Sequence, residues 1–374
     1  MAGIYLHIPF CRQACSYCNF HFSTSLAYKA DMVRAMVEEM ALRRPELASQ
    51  QIETIYFGGG TPSLLEEKDL DLLFEAIHKH FDTAGPNVEI TLEANPDDLT
   101  KEKLAMLRRT PVNRFSIGIQ SFSDTDLRFM RRIHTAEDSL RSIRNVQDAG
   151  FDNITIDLIY GAPITSHAEW ERNLDTFFNL GIPHLSAYCL TVEERTILWH
   201  QVRKGAAEPV SPEHAAAQFD RLVQMTALHG FEHYEISNFA RPGSYSRHNT
   251  SYWKGIPYIG IGPSAHSFRP GTRQWNTANN MTYLKAIAEG RIPFESEELT
   301  TAQQYNEYVM TSLRTMWGCD TASLDKLGFL PYFQLSAEPF LRDGFMERNQ
   351  DTYRLTPKGK FLADGIASEL FRVD

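Results

Sequence analysis

A chain of 374 residues is long for one ordinary domain, so a large α/β domain with a smaller appendage is expected. Its 43% hydrophobic and 22% charged residues exclude a disordered or fibrous polymer. The formal net charge of -10 argues against broad binding to nucleic acid and favours a small or apolar ligand.

The opening Met1-Ala2-Gly3-Ile4-Tyr5-Leu6-His7-Ile8-Pro9 has no basic start and no long apolar run, so neither a signal peptide nor a membrane anchor is expected. Five cysteines in so long a chain are too few for a disulfide scaffold and suit a reducing cytoplasm. Up to residue 236, short apolar runs alternate with amphipathic stretches, the pattern of repeated βα units and a parallel sheet. Strands are predicted at Ile4 to Ile8, Ile52 to Phe57, Val88 to Glu93, Arg114 to Ile119, Ile154 to Tyr160 and Leu185 to Leu190, with a further one near His233 to Ile236. The clearest helices run from Ala27 to Leu42 and from Glu66 to His80, where Met32, Ala35, Met36 and Met40 recur at helical spacing. This predicts a partial (β/α)6 TIM-like barrel over residues 1–236. Residues 237–292, rich in Gly, Pro and aromatics, read as a connector, and 293–374 as a helical C-terminal domain with the order of a winged helix. Winged helices can bind DNA, but the acidic chain has no basic run to do so.

Cys11-x-x-x-Cys15-x-x-Cys18 directly follows the first strand, at the strand end where βα barrels carry their active sites. Three thiolates suit zinc or an iron–sulfur cluster. Structural zinc wants a fourth Cys or His nearby, and none is obvious. Asn19 after Cys18 excludes covalent haem attachment through Cys-x-x-Cys-His. A four-iron four-sulfur cluster held by three cysteines leaves one iron open to an outside ligand. Cys189 and Cys319 stand alone and read as core thiols.

Gly58-Gly59-Gly60-Thr61-Pro62 after the second strand is a turn whose backbone N–H groups can approach a polar ligand. It is not a P-loop, since no Gly-Lys-Ser/Thr follows, nor a dinucleotide fingerprint, since Ser63 takes the last glycine position. Glu93, Gln120 and Asp157 put polar groups at further strand ends, suited to ribose hydroxyls or an ammonium. Purely structural alternatives are that Asp157 caps a helix and that Glu93 pairs with Arg114.

The cysteine triplet with the glycine turn resembles the radical S-adenosylmethionine superfamily. There the open iron is chelated by the amino and carboxylate groups of S-adenosylmethionine, and an electron from the cluster can cleave its sulfonium to a 5′-deoxyadenosyl radical. Tyr5 to Cys11, Gly58 to Pro62, Gly118-Ile119-Gln120-Ser121-Phe122 and Asp157 to Gly161 are more closely similar to the oxygen-independent coproporphyrinogen III oxidase family, over most of the chain. That resemblance implies cluster ligation by Cys11, Cys15 and Cys18, and S-adenosylmethionine binding by Tyr5, Tyr17, Gly59, Gly60, Thr61, Glu93, Gln120, Arg132 and Asp157, some of which could serve a second molecule.

Two departures redirect it. Phe20 stands where the oxidases carry a further cysteine, and only ten residues precede Cys11, where they have an N-terminal extension. His248-Asn249-Thr250-Ser251-Tyr252-Trp253 instead resembles the His-Asn-x-x-Tyr-Trp segment of the haem chaperone branch. His248 offers an imidazole for haem iron, and Tyr252 and Trp253 offer flat faces for a porphyrin. Whether His248 ligates the iron or orients the loop is open at this point. The branch implies haem as cargo, haem-requiring apoproteins as recipients, a homodimer and peripheral membrane contact. The alternative is the oxidase itself, converting propionates to vinyls. A radical enzyme acting on tRNA or another macromolecule would need a basic cleft that the composition does not favour.

Overall fold

The computed structural model describes residues 1–47, 50–85 and 87–373. Six strands, β1 (Ala2–Ile8), β2 (Ile52–Gly59), β3 (Glu89–Ala94), β4 (Arg114–Gln120), β5 (Ile154–Tyr160) and β6 (His184–Cys189), lie side by side in sequence order. Each is parallel to the next. These are the six predicted strands, with ends shifted by at most two residues, and they make the expected partial barrel. Its helices include Lys29–Arg43 and Glu67–His80.

Alternation along each strand sorts the side chains. Ile4, Leu6 and Ile8 join the main core with Met32, Met36 and Met40 of the first helix. Tyr5 and His7, between them, face the other way, where Tyr5 stacks near Tyr56 at 6.1 Å. A packed barrel interior is filled mainly with branched aliphatics. Here it carries Tyr5, Tyr56, Glu93, Arg114 and Asp157, which makes it a polar site.

The predicted seventh strand, β7 (Glu232–Glu235), forms, but antiparallel and at the sheet edge. It reaches β6 only through β8 (Asn238–Ala240). The stretch read as loop-rich differs more. β9 (Tyr258–Ile261) pairs in parallel with β1, and β10 (His266–Arg269), β11 (Thr272–Asn276) and β12 (Phe294–Glu298) continue antiparallel from it. The result is one open sheet of twelve strands, ordered β12-β11-β10-β9-β1-β2-β3-β4-β5-β6-β8-β7.

Beyond it, helix Thr301–Leu313, β13 (Cys319–Asp320), helices Thr321–Lys326 and Leu330–Arg342, β14 (Met346–Asn349) and β15 (Thr352–Leu355) follow in winged-helix order around a second core. The last helix is broken into Pro357–Lys360 and Ala363–Glu369. Backbone bonds from Ile236 to Arg314 and from Met316 to Tyr234 seat this module on the sheet edge. Among the described residues no helix is long and apolar enough to cross a membrane.

Candidate functional site

Leaving β1, the chain makes a loop closed at its base: Cys11 donates its N–H to Ser23 at 3.0 Å and Ser23 donates to Pro9 at 2.9 Å. Ser16 pins the middle of the loop, donating its N–H to Met130 and its hydroxyl to Phe129. Cys11, Cys15 and Cys18 are all half-buried on this loop, and burial pushes the Cys11 thiol up to about 11. Phe20, where the oxidases have another cysteine, is 66% exposed.

The glycine turn supports this loop from behind. Gly59 has φ +100, and a Cβ there would come within 2.5 Å of the His7 ring. At Gly60 a Cβ would meet the Phe10 carbonyl at 2.6 Å. The N–H groups of Gly60 and Thr61 are already used, donating to Ile8 and Phe10. The turn therefore holds the cysteine loop to β2 through these two groups, and they are not free for a ligand.

From there a continuous hydrogen-bonded chain crosses three strand ends. The Thr61 hydroxyl donates to Cys11 Sγ at 3.4 Å, and Asn95 Nδ2 donates to Thr61 at 3.2 Å. Arg132 Nη2 donates to Asn95 Oδ1 and to the Gly118 carbonyl, both at 2.7 Å, and Arg132 Nη1 donates to Cys15 Sγ at 3.3 Å. One guanidinium thus touches the thiol loop, β3's end and β4. Its Nε is buried without a partner. Asn95 was absent from the residues singled out in the sequence; its position two residues after Glu93, before Pro96, is the signal that could have found it.

Deeper in the interior, Tyr56 donates to Glu93 at 2.8 Å. Burial raises Glu93 to about 7, with Asp157 adding to it, and burial raises Asp157 to about 6 despite Arg114 and Arg132 nearby. Asp157 lies within β5, not at a helix start, and Glu93 is held by Tyr56, so neither structural alternative for them is what the fold uses. Gln120 ends β4 at a register shift with φ 70, a conformation that turns it out of the strand's regular course. Tyr5 donates its hydroxyl toward His7 Nδ1 at 3.2 Å. Burial also raises Tyr17, against the pull of Arg132. All the residues expected to bind S-adenosylmethionine therefore gather at one rim and just inside it.

The donor set fits the expected cluster: three sulfur ligands on one braced loop. Among the described residues, no three His, Cys, Asp or Glu side chains surround one point as a single metal ion requires. A four-iron cluster spreads its thiolates over separate corners.

The histidine segment forms a helix, Arg247–Trp253, whose first two N–H groups, Arg247 and His248, are both taken by the Glu89 carboxylate at 3.1 and 2.9 Å. His248 is 1% exposed, bonded through Nδ1 to Thr54 and through Nε2 to the Tyr252 hydroxyl, both at 2.8 Å. Burial lowers its affinity for a proton to about 3. With both nitrogens engaged, His248 orients Tyr252 rather than facing a ligand. Tyr252 and Trp253 instead line a cleft of about 850 Å³ between β9–β10 and the C-terminal module.

Residues 5–177 match the model of the radical SAM superfamily. The chain is 33% identical to the heme chaperone HemW of Bacillus subtilis, with 98% of each chain covered, and 33% identical to that of Mycobacterium tuberculosis, covering 98% of this chain and 94% of the other. In structure it is similar to the coproporphyrinogen III oxidase HemN of Escherichia coli, with a TM-score of 0.85 and 23% identity over 99% of this chain and 90% of that one, a likeness of fold. The end-to-end match to the first two relatives shows that the chain belongs to the HemW family within the radical SAM superfamily.

Proposed function

We propose that this protein is a haem chaperone, which binds haem and passes it to haem-requiring apoproteins. The observation that carries the reading is the extent of the likeness. The relatives named heme chaperone match over 98% of this chain, so the likeness includes the 248–253 segment and the C-terminal module, both outside the superfamily match at 5–177. The half-buried Cys11, Cys15 and Cys18 would hold a four-iron four-sulfur cluster, and Tyr5, Tyr17, Gly59, Gly60, Thr61, Glu93, Gln120, Arg132 and Asp157 would bind S-adenosylmethionine. When bound, the cluster supplies an electron and an open iron. The chain's own part is to brace the thiols through Thr61 and Arg132 and to offer two carboxyls of raised proton affinity to the ligand's polar groups. A cytoplasmic homodimer with peripheral membrane contact belongs to the same proposal.

Anaerobic reconstitution followed by parallel haem and S-adenosylmethionine titrations tests it. The expected result is binding of both, with no conversion of coproporphyrinogen to protoporphyrinogen; turnover without haem retention would favour the oxidase. In the same experiment Cys15→Ser should lose most of the bound iron and its visible absorption, because removing one of three thiolates leaves no chelating set. A full iron complement in that variant would remove Cys15 from the ligands.

A further inference from the structure

The cleft beside Trp253 is large and well furnished. Its volume, about 850 Å³, lies within the roughly 300–1,000 Å³ of small-molecule and cofactor sites. One wall is built from the end of the Arg247–Trp253 helix and from β9 and β10, the other from the helix Thr301–Leu313 and the turn after it. Tyr258 and Phe268 lie nearly parallel, 27° apart, and Trp317 adds a third ring. The Trp253 Nε1–H is buried with no acceptor.

Charge on this cleft runs against that of the molecule. In a chain of net charge -10, the lining holds three cations, Lys254, Arg273 and Lys326, against the two carboxylates Glu307 and Asp320. Both carboxylates are occupied. Glu307 accepts from Arg273 at 2.6 Å, and Asp320 accepts from the Tyr308 hydroxyl and the Ser323 N–H. Lys254 sits 4.4 Å over the Trp317 ring. Among the described residues neither Lys254 nor Lys326 is within ion-pair distance of a carboxylate. A flat apolar ring bearing two carboxylates, with a metal at its centre, complements such a surface.

A metal ligand is also present. His266 opens β10 as an exposed residue, its ring beside Trp275 at 6.2 Å. Alternation along β10 puts His266 on the same face as Phe268 and, across the pairing, as Trp275 and Arg273. Among the described residues its ring nitrogens have no hydrogen-bond partner, unlike those of His248. Its imidazole is therefore open to coordinate iron.

We infer that haem seats in this cleft, with His266 as the protein ligand to its iron and Lys254 and Lys326 as the partners of its two propionates. This rests on the haem reading above and replaces His248 as the ligand. Aromatic faces supply the area, and two cations without a carboxylate partner among the described residues fix the orientation, which is how charge-assisted contacts confer specificity.

The test is titration of the full-length protein with hemin, read by Soret absorbance and by the electron paramagnetic resonance signal of the ferric iron. Wild type, His266→Ala and the double variant Lys254→Glu/Lys326→Glu are compared, with hemin dimethyl ester as a second probe whose propionates are masked. His266→Ala should weaken binding tenfold or more and change the spectrum, and added imidazole should restore it. The lysine double variant should weaken hemin at least tenfold while leaving the dimethyl ester as in wild type. If wild type retains hemin but His266→Ala gives the wild-type spectrum, or if the lysine variant affects both probes alike, the cleft assignment falls and the chaperone reading stands. If wild type retains no hemin, both fall.

Discussion

Asn95 is a rim residue that the sequence does not single out. Its amide accepts from Arg132 and donates to Thr61, so it links the partners of two of the three cysteines. Asn95→Ala removes an acceptor from a buried guanidinium whose Nε already lacks one, a loss of roughly 1.5–3 kcal/mol for a hydrogen bond to a charged group. Urea unfolding of the cluster-free protein should show it; a change under about 0.5 kcal/mol would mean that water replaces the amide at no cost. The cysteines, Thr61 and Glu93 were legible because their spacing and their place after strands carry chemical meaning. Asn95 was not, since asparagine at a strand end is an ordinary turn residue. His248 shows a different limit. A histidine near Tyr and Trp can be recognised in the sequence, but whether its nitrogens are spent on Thr54 and Tyr252 is a matter of three-dimensional packing.

Among the elements, the six parallel strands could be read because each is buried on both faces and so forms a short apolar run bounded by turns. β10 to β12 escaped because they are antiparallel, near the open edge and largely wet. Phe294–Glu298 has three acidic residues in five and no fully buried position. What anchors this extension is polar. Glu39, on the first helix, is fully buried and accepts from the Gly262 N–H, the Tyr283 hydroxyl and Asn276 Nδ2 at 2.6–2.7 Å. Arg43, one turn on, donates to the Gly260 carbonyl at 2.7 Å. Nothing in an amphipathic pattern reveals that a glutamate on the core face is held by residues more than two hundred positions away. Glu39→Ala leaves the Gly262 N–H and the Tyr283 hydroxyl without an acceptor and Arg43 without one of its carboxylate partners, and a loss of about 3–5 kcal/mol is expected. Hydrogen exchange should quicken at Tyr258–Asn276 more than in β3 to β5. Equal protection in both regions would show that the extension is held by other contacts.

At the scale of the whole molecule, the same burial that assembles the sites governs how stability responds to acid. Burial lowers the proton affinity of His7 and His134 to about 4, of His233 and His248 to about 3, and of His184 well below its ordinary value. In the unfolded chain these histidines take up a proton near pH 6.5, and in the folded chain His7, His134, His233 and His248 remain neutral until about pH 4 or 3, with His184 shifted in the same direction. Between those values the unfolded state binds more protons, so stability is present in full above pH 6.5 and is lost as pH falls. Glu93, raised to about 7, and Asp157, raised to about 6, act in the opposite sense, because the folded chain protonates them first. Glu39 is raised as well. His80 and His266 are lowered and Asp97 and Asp126 raised in the same way, so seven histidines outweigh five carboxyls and the net slope favours neutral pH, on the order of 1.4 kcal/mol per pH unit for each excess proton on the unfolded chain. Urea midpoints at pH 7, 6 and 5, at constant ionic strength, should fall monotonically, with the steeper drop between 6 and 5 as the histidines of the unfolded chain fill. A midpoint unchanged across that range would mean that the folded chain admits protons to these histidines, most directly to His248, whose hydrogen bond through Nε2 holds Tyr252 at the mouth of the cleft.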